Sequence, residues 1–223
     1  MRAAHGHKVL LAIAAILLTG MPASAHVVFN ELELLTGPEA GWHFLKQGYL
    51  HILPLGFDHI LFVLSLYLLS PKWKPILWQA TAFTVAHSVT LGLAMYGVIT
   101  PPPAIVEPLI AISIMVVALE NIISQRLRAT RIGVVFLFGL VHGLGFAGAL
   151  TTLGLPRKHF LTTLITFNVG VELGQITVIL IALLLFGLWF REKPYYHRAV
   201  VVPLSVAILL IAGYWTVERI FFA

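Results

Sequence analysis

The chain contains no cysteine. That absence excludes disulfides, thiolate metal sites and cysteine nucleophiles, and leaves His, Asp, Glu and Asn for any polar chemistry. Charge is scarce as well, since Asp, Glu, Lys and Arg make up only 10% of the residues, against roughly 25% in a soluble domain. No glycine-rich nucleotide-binding loop occurs, so direct ATP coupling within the chain is not expected. A haem held axially by His87 and His142 is one use of two membrane histidines, but no haem-attachment motif accompanies them. The formal net charge of +5 and a pI near 9.7 would suggest nucleic acid in a soluble protein. Here Lys and Arg gather in short loops between apolar runs, so they read as topology signals and no nucleic-acid partner is expected.

Apolar residues are what the chain has in abundance: 59% are hydrophobic and the mean hydropathy is +0.96. The expected class is an all-α integral membrane protein, a six-helix transmembrane bundle after a cleavable signal peptide, with the lipid bilayer as its surroundings. Residues 1–25 have the form of the signal: Arg2, His5, His7 and Lys8 precede an apolar core from Val9 to Leu18, and Ala23-Ser24-Ala25 supplies small residues for cleavage. Cleavage there makes His26 the mature N-terminus. Residues 26–48 carry Glu31, Glu33, Glu39 and Lys46 and are too polar to span, so they read as an extracytoplasmic or interfacial segment. Residues 49–223 form the transmembrane domain. Its apolar segments run from about His51 to Ser70, Pro75 to Ile99, Ile105 to Ser124, Arg131 to Leu153, Phe160 to Phe190 and Ala199 to Val217, each near the ~20 residues that cross the hydrocarbon core. Alternating sides then puts Lys72, Lys74, Arg126, Arg128, Arg131, Arg191, Lys193 and Arg198 in the cytoplasm, and Lys46, Arg157, Lys158 and Arg219 outside. This orientation fits a multi-pass protein of a bacterial-type inner (plasma) membrane with both mature termini outside. A homo-oligomer is compatible with the sequence.

Ionisable groups are expensive inside a span and point to a metal, a proton or a reaction. Asp58 follows His51 by seven residues, two helical turns on, so the two are expected to share a face of the first span. His59 points about 100° away from Asp58 on such a helix. His87 in the second span and His142 in the fourth lie at similar depth, with Thr84, Ser88 and Thr90 near the first and Gly139, Gly143, Gly145 and Gly148 around the second. Asn168, Glu172 and Gln175 are spaced to form one polar stripe on the fifth span, and Glu107 stands at the outer mouth. Glu120 and Asn121 lie near the cytoplasmic end beside Arg126 and Arg128, where a helix-end salt bridge is expected.

Several runs together resemble the HupE/UreJ membrane proteins, particularly their second branch. They are Gly56-Phe57-Asp58-His59-Ile60-Leu61-Phe62, Thr81 to Leu91 around His87, Val106-Glu107, Ala118-Leu119-Glu120-Asn121, Phe138 to Ala147 around His142, and Phe167 to Gln175 around Asn168 and Glu172. The resemblance implies metal handling of the nickel-permease kind. The relatives' first-span motif is His, five residues, then Asp-His, whereas six residues separate His51 from Asp58 here. The expected function is a divalent transition-metal permease or metal-binding membrane protein, its ion being nickel, zinc or copper. Its candidate ligands are Asp58, His87, His142, Glu172, His51, His59, Glu107 and Asn168, imidazoles suiting such ions and carboxylates compensating charge. The alternative is an intramembrane metal-dependent hydrolase in which His and Asp hold zinc and Glu107 or Glu172 activates water on a lipid or lipid-linked substrate.

Overall fold

The structure, a computed structural model, describes residues 35–69, 72–124, 127, 130–153 and 159–222, with side chains omitted for 147–153. The expected signal peptide, residues 1–25, and the expected mature N-terminus at His26 lie outside the described residues, as do Arg126, Arg128, Arg157 and Lys158. Within them the chain is helical and has no strand. In order, the helices are α1 (Gly37–Ile52), α2 (Phe57–Leu69), α3 (Trp73–Met95), α4 (Pro103–Ile123), α5 (Arg131–Leu153), α6 (Phe160–Phe190) and α7 (His197–Phe221). Four of these, α3, α4, α6 and α7, are long and apolar enough to cross a bilayer, and α1 with α2 counts as a fifth candidate if the bent pair is one span. The apolar stretch described in α5 is shorter, Arg131–Phe146.

Local chemistry explains the ends that matter for the site. Before α1, the Thr36 backbone N–H and hydroxyl both donate to the Glu39 carboxylate, at 2.9 and 2.8 Å, which satisfies a donor that the first turn leaves orphaned. The helix stops at Ile52 because Pro54 disfavours helical geometry in the residue before it and has no N–H to donate. A turn over Leu53 to Gly56 then bends the path by 69° into α2. This break corrects the expectation that His51 and Asp58 share a face of one continuous span. His51 lies in the last turn of a helix that began at Gly37, and Asp58 lies in the first turn of the next.

The most intimate helix pairs are α3 with α5, α1 with α6, and α4 with α7, while α2 threads between them and touches α1, α3, α4, α6 and α7. Lipid tails are as apolar as leucine, so packing and close backbone approach hold such pairs together more than burial from water does. Gly143 of α5 shows why the approach needs a missing side chain: a Cβ there would collide with the His87 carbonyl oxygen and Thr90 Oγ1 of α3. Gly170 does the same service between α6 and α1, where a Cβ would meet the Leu45 carbonyl. The central packing includes Phe62, Leu66, Phe83, Ile114, Phe167 and Val171.

Polarity is arranged inside out relative to a soluble protein. Val85, Val89, Leu109, Val116, Leu173, Leu180 and Leu184 face outward, whereas His59, Gln79, His87, Ser113, Asn121, Arg131, His142, Asn168 and Gln175 are buried. Only an apolar solvent makes that arrangement stable, so this is a multi-pass membrane protein. At the end of the bundle where α5 begins, Arg131 is 2% exposed and donates to Gln79 and Glu120, each at 2.9 Å, to Asn121 at 3.3 Å and to the Ser65 carbonyl at 3.4 Å. Glu120 is paired with Arg131, whereas the arginines expected beside it, Arg126 and Arg128, lie outside the described residues; Arg131 ties four helices together instead of lying free in a loop.

Candidate metal centre

Four histidines from four helices converge. His51 closes α1, His59 opens α2, His87 is midway along α3 and His142 is midway along α5. The ligand-capable nitrogens of His51, His59 and His87 all lie within 4.8 Å of one another. His142 joins them through His59, the two ring centroids being 5.0 Å apart. Three nitrogens bound at ~2.1 Å to one tetrahedral ion stand roughly 3.4 Å apart, so side-chain adjustments of about 1 Å would bring this group to coordination distance.

The hydrogen bonds behind two of the rings decide which nitrogen carries the lone pair. Asn168 Nδ2 donates to the Leu164 carbonyl at 2.8 Å, which turns its Oδ1 toward His87 Nδ1, 3.0 Å away. Oδ1 can only accept, so His87 is protonated on Nδ1 and its Nε2 is the bare nitrogen. The Ser113 hydroxyl spends its hydrogen on the Ile110 carbonyl at 2.6 Å and therefore accepts from His142 Nε2 at 2.9 Å. His142 is consequently bare at Nδ1. Both bare nitrogens are buried without a hydrogen-bond partner among the described residues, as are Nε2 of His51 and of His59. Buried polar atoms are seldom left so, and four on neighbouring rings are what a bound polar ligand would satisfy. A second group that fixes tautomer and ring orientation is the usual companion of a metal-binding imidazole.

An aromatic collar surrounds the group. His51 lies 3.8 Å from Phe146, which stacks on Phe167 at 5.2 Å, while Phe83 and Phe62 approach His142 at 5.0 and 5.2 Å. A cavity of about 570 Å³ opens onto it. His51, His59 and His142 line the inner part, Asp58, Glu107, Trp215 and Arg219 the mouth, and fully buried His87 lies behind.

The other sequence candidates take different places. Asp58 and Glu107 line the same cavity but are bound at its mouth by Arg219, whose Nη2 is 3.0 Å from Asp58 and whose Nη1 is 3.6 Å from the Glu107 carboxylate. Asn168 Oδ1 is engaged by His87 Nδ1 and so supports that ring from behind. Glu172 accepts hydrogen bonds from Thr81 at 2.8 Å and from Thr84, and Gln175 donates to Thr84 at 3.3 Å, so that polar stripe serves the seam between α3 and α6. His59, set apart from Asp58 in the sequence by its angle, is the histidine that touches the other three rings. Sequence reasoning missed Ser113, a single small hydroxyl in an apolar helix that gives no signal. It also took Arg219 for a topology charge, although Trp215 one turn earlier was a hint that the guanidinium has a face to rest on.

The family profile described as HupE / UreJ protein matches residues 31–219. The chain belongs to this family. No curated protein and no solved structure matches it. The four converging histidines of this HupE/UreJ chain, His51, His59, His87 and His142, lie inside the matched region, as do Ser113, Asn168 and Arg219.

Proposed function

We propose that the chain is a divalent transition-metal permease of the nickel type, with His51, His59, His87 and His142 as the transient intramembrane site for the ion. The observation that carries this reading is the convergence of His51, His59 and His87, whose ligand-capable nitrogens lie within 4.8 Å of one another, with His142 packed on His59 beside them. Neutral imidazoles favour nickel, copper and zinc over magnesium and calcium, which prefer oxygen donors. They also leave the charge of a doubly charged ion uncompensated, which keeps binding reversible in a carrier, whereas a carboxylate-rich cage would hold it. Family membership supports metal handling. In this proposal the bundle crosses the membrane six times, α1 and α2 together with α5 completing the count, and the Asp58 mouth faces outward while the Arg131 end faces the cytoplasm.

The permease is favoured over the hydrolase because the carboxylates an enzyme would need for water activation lie outside the group of histidine nitrogens. Glu172 is held by two threonines and Glu107 by Arg219. The test is elemental analysis of detergent-purified protein together with nickel uptake into reconstituted vesicles. Bound metal and uptake that both fall in His59→Ala and His87→Ala are expected. Protein that binds no nickel, cobalt, zinc or copper, and vesicles that take up none, would refute the proposal.

A further inference from the structure

Arg219 sits in the last turn of α7, and its guanidinium reaches across the mouth of the cavity. Nη2 stands 3.1 and 3.0 Å from the two carboxylate oxygens of Asp58, Nη1 donates to the Glu107 carbonyl at 3.1 Å, and the Glu107 carboxylate is 3.6 Å away. The group also lies over the Trp215 ring at 5.5 Å. The side chain is only 17% exposed. Any ion that approaches His59 and His142 along this cavity passes two carboxylates that already hold a cation.

We propose that Arg219 is a tethered cation that an incoming divalent ion must displace from Asp58 and Glu107, which makes it a selectivity-determining residue of the permease. The inference rests on the function proposed above. Two carboxylates and one guanidinium leave the mouth with a net charge of about −1, enough to attract a cation but already partly neutralised. A monovalent ion offers Asp58 and Glu107 no more charge than the guanidinium does, and lacks its paired hydrogen bonds. A divalent ion at the same distance offers twice the Coulomb attraction. Arginine suits the task because it stays charged at every physiological pH, so it leaves only by moving and never by losing its proton. Trp215, one helical turn earlier, already lies under the guanidinium while it is paired with Asp58, an aromatic contact that does not depend on the carboxylates. A purely structural strut between α7 and α2 would explain the Asp58 contact, but it would not make monovalent and divalent ions behave differently.

The experiment uses full-length protein in detergent and nickel(II) chloride as the probe. Association is followed by tryptophan fluorescence in stopped flow, with sodium chloride compared against choline chloride of equal ionic strength. Arg219→Gln frees both carboxylates, so nickel should associate about tenfold faster, the low end of what a focused negative mouth supplies. Sodium should then slow association in the variant and leave the wild type unaffected. Arg219→Lys keeps the charge and loses the fork, and should fall between the two. An Arg219→Gln protein with wild-type association and no sodium sensitivity overturns the proposal. If that variant does not fold, an Arg219→Lys protein indistinguishable from wild type does the same. Wild type that binds no transition metal overturns the permease and this inference together, whereas nickel binding lost in His59→Ala with rates indifferent to Arg219 overturns this inference alone.

Discussion

Asn168 offers a sharp test of the proposed histidine site because in that proposal it supports the ligand His87 from behind without holding the ion itself. Its Oδ1 is 3.0 Å from His87 Nδ1, its own orientation is fixed by a 2.8 Å bond to the Leu164 carbonyl, and the pair is buried. Asn168→Leu keeps a side chain of similar size and removes the acceptor. His87 Nδ1–H is then left unpaired in an apolar seam, a penalty of about 1–3 kcal/mol. The ring escapes it by rotating or by moving its proton to Nε2, and either change withdraws the lone pair from the group with His51 and His59. Metal binding must undo that change first. Loss of such a supporting partner typically costs about 10–100-fold in metal affinity, or roughly 1.4–2.7 kcal/mol. Nickel Kd from equilibrium dialysis should rise by that factor, and ¹⁵N NMR of labelled histidine should show His87 leaving the Nδ1–H tautomer. Asn168→Asp, whose carboxylate still accepts from Nδ1, should keep both the tautomer and the affinity. A folded Asn168→Leu protein with wild-type Kd, or with an unchanged His87 tautomer, would refute the reasoning.

Three further outcomes follow from the packing. Glu172→Gln keeps an acceptor for the Thr81 and Thr84 hydroxyls and lies off the grouped nitrogens, so nickel stoichiometry measured by elemental analysis should not change; loss of metal would place this carboxylate in the site after all. Gly143→Val drives a side chain into the His87 carbonyl and Thr90, and since overpacking against neighbours that cannot move costs about 1–3 kcal/mol or more, thermal unfolding in detergent should occur at a distinctly lower temperature. Arg131→Met strands the Glu120 carboxylate together with the oxygens of Gln79 and Asn121. Breaking a buried pair costs about 3–5 kcal/mol, and because Glu120 remains 25% exposed the low end is expected, read as lost resistance to denaturant; a variant as stable as wild type would contradict it.

The helical class and the membrane setting were legible in the sequence because both follow from composition and run length, which the bilayer reads one segment at a time. His87 and His142 stood out for the same reason, as titratable groups inside long apolar runs. The common face of His51 and Asp58 was misread because their seven-residue spacing was followed along one straight helix, which Pro54 and Gly56 break. The spacing of Glu172 from Asn168 put the two on one stripe, but not the partners of that stripe, which the facing helix supplies to Glu172 as Thr81 and Thr84. Ser113 and Arg219 were beyond any reading of one segment, since each matters only for what another helix brings to it.

The sequence by itself determined the solvent of this protein, the chemistry open to it without cysteine, and the short roll of polar residues able to do it. Its motifs determined the family. The tertiary structure decided which of those residues meet. It brought His51 and His59 from either side of a bend against His87 and His142, set Asn168 and Ser113 behind two of the rings, and drew Asp58 and Glu107 onto Arg219 at the mouth. Such meetings depend on how helices pack across tens of residues of chain, through contacts such as Gly143 against the His87 backbone, and no periodicity along one segment encodes them.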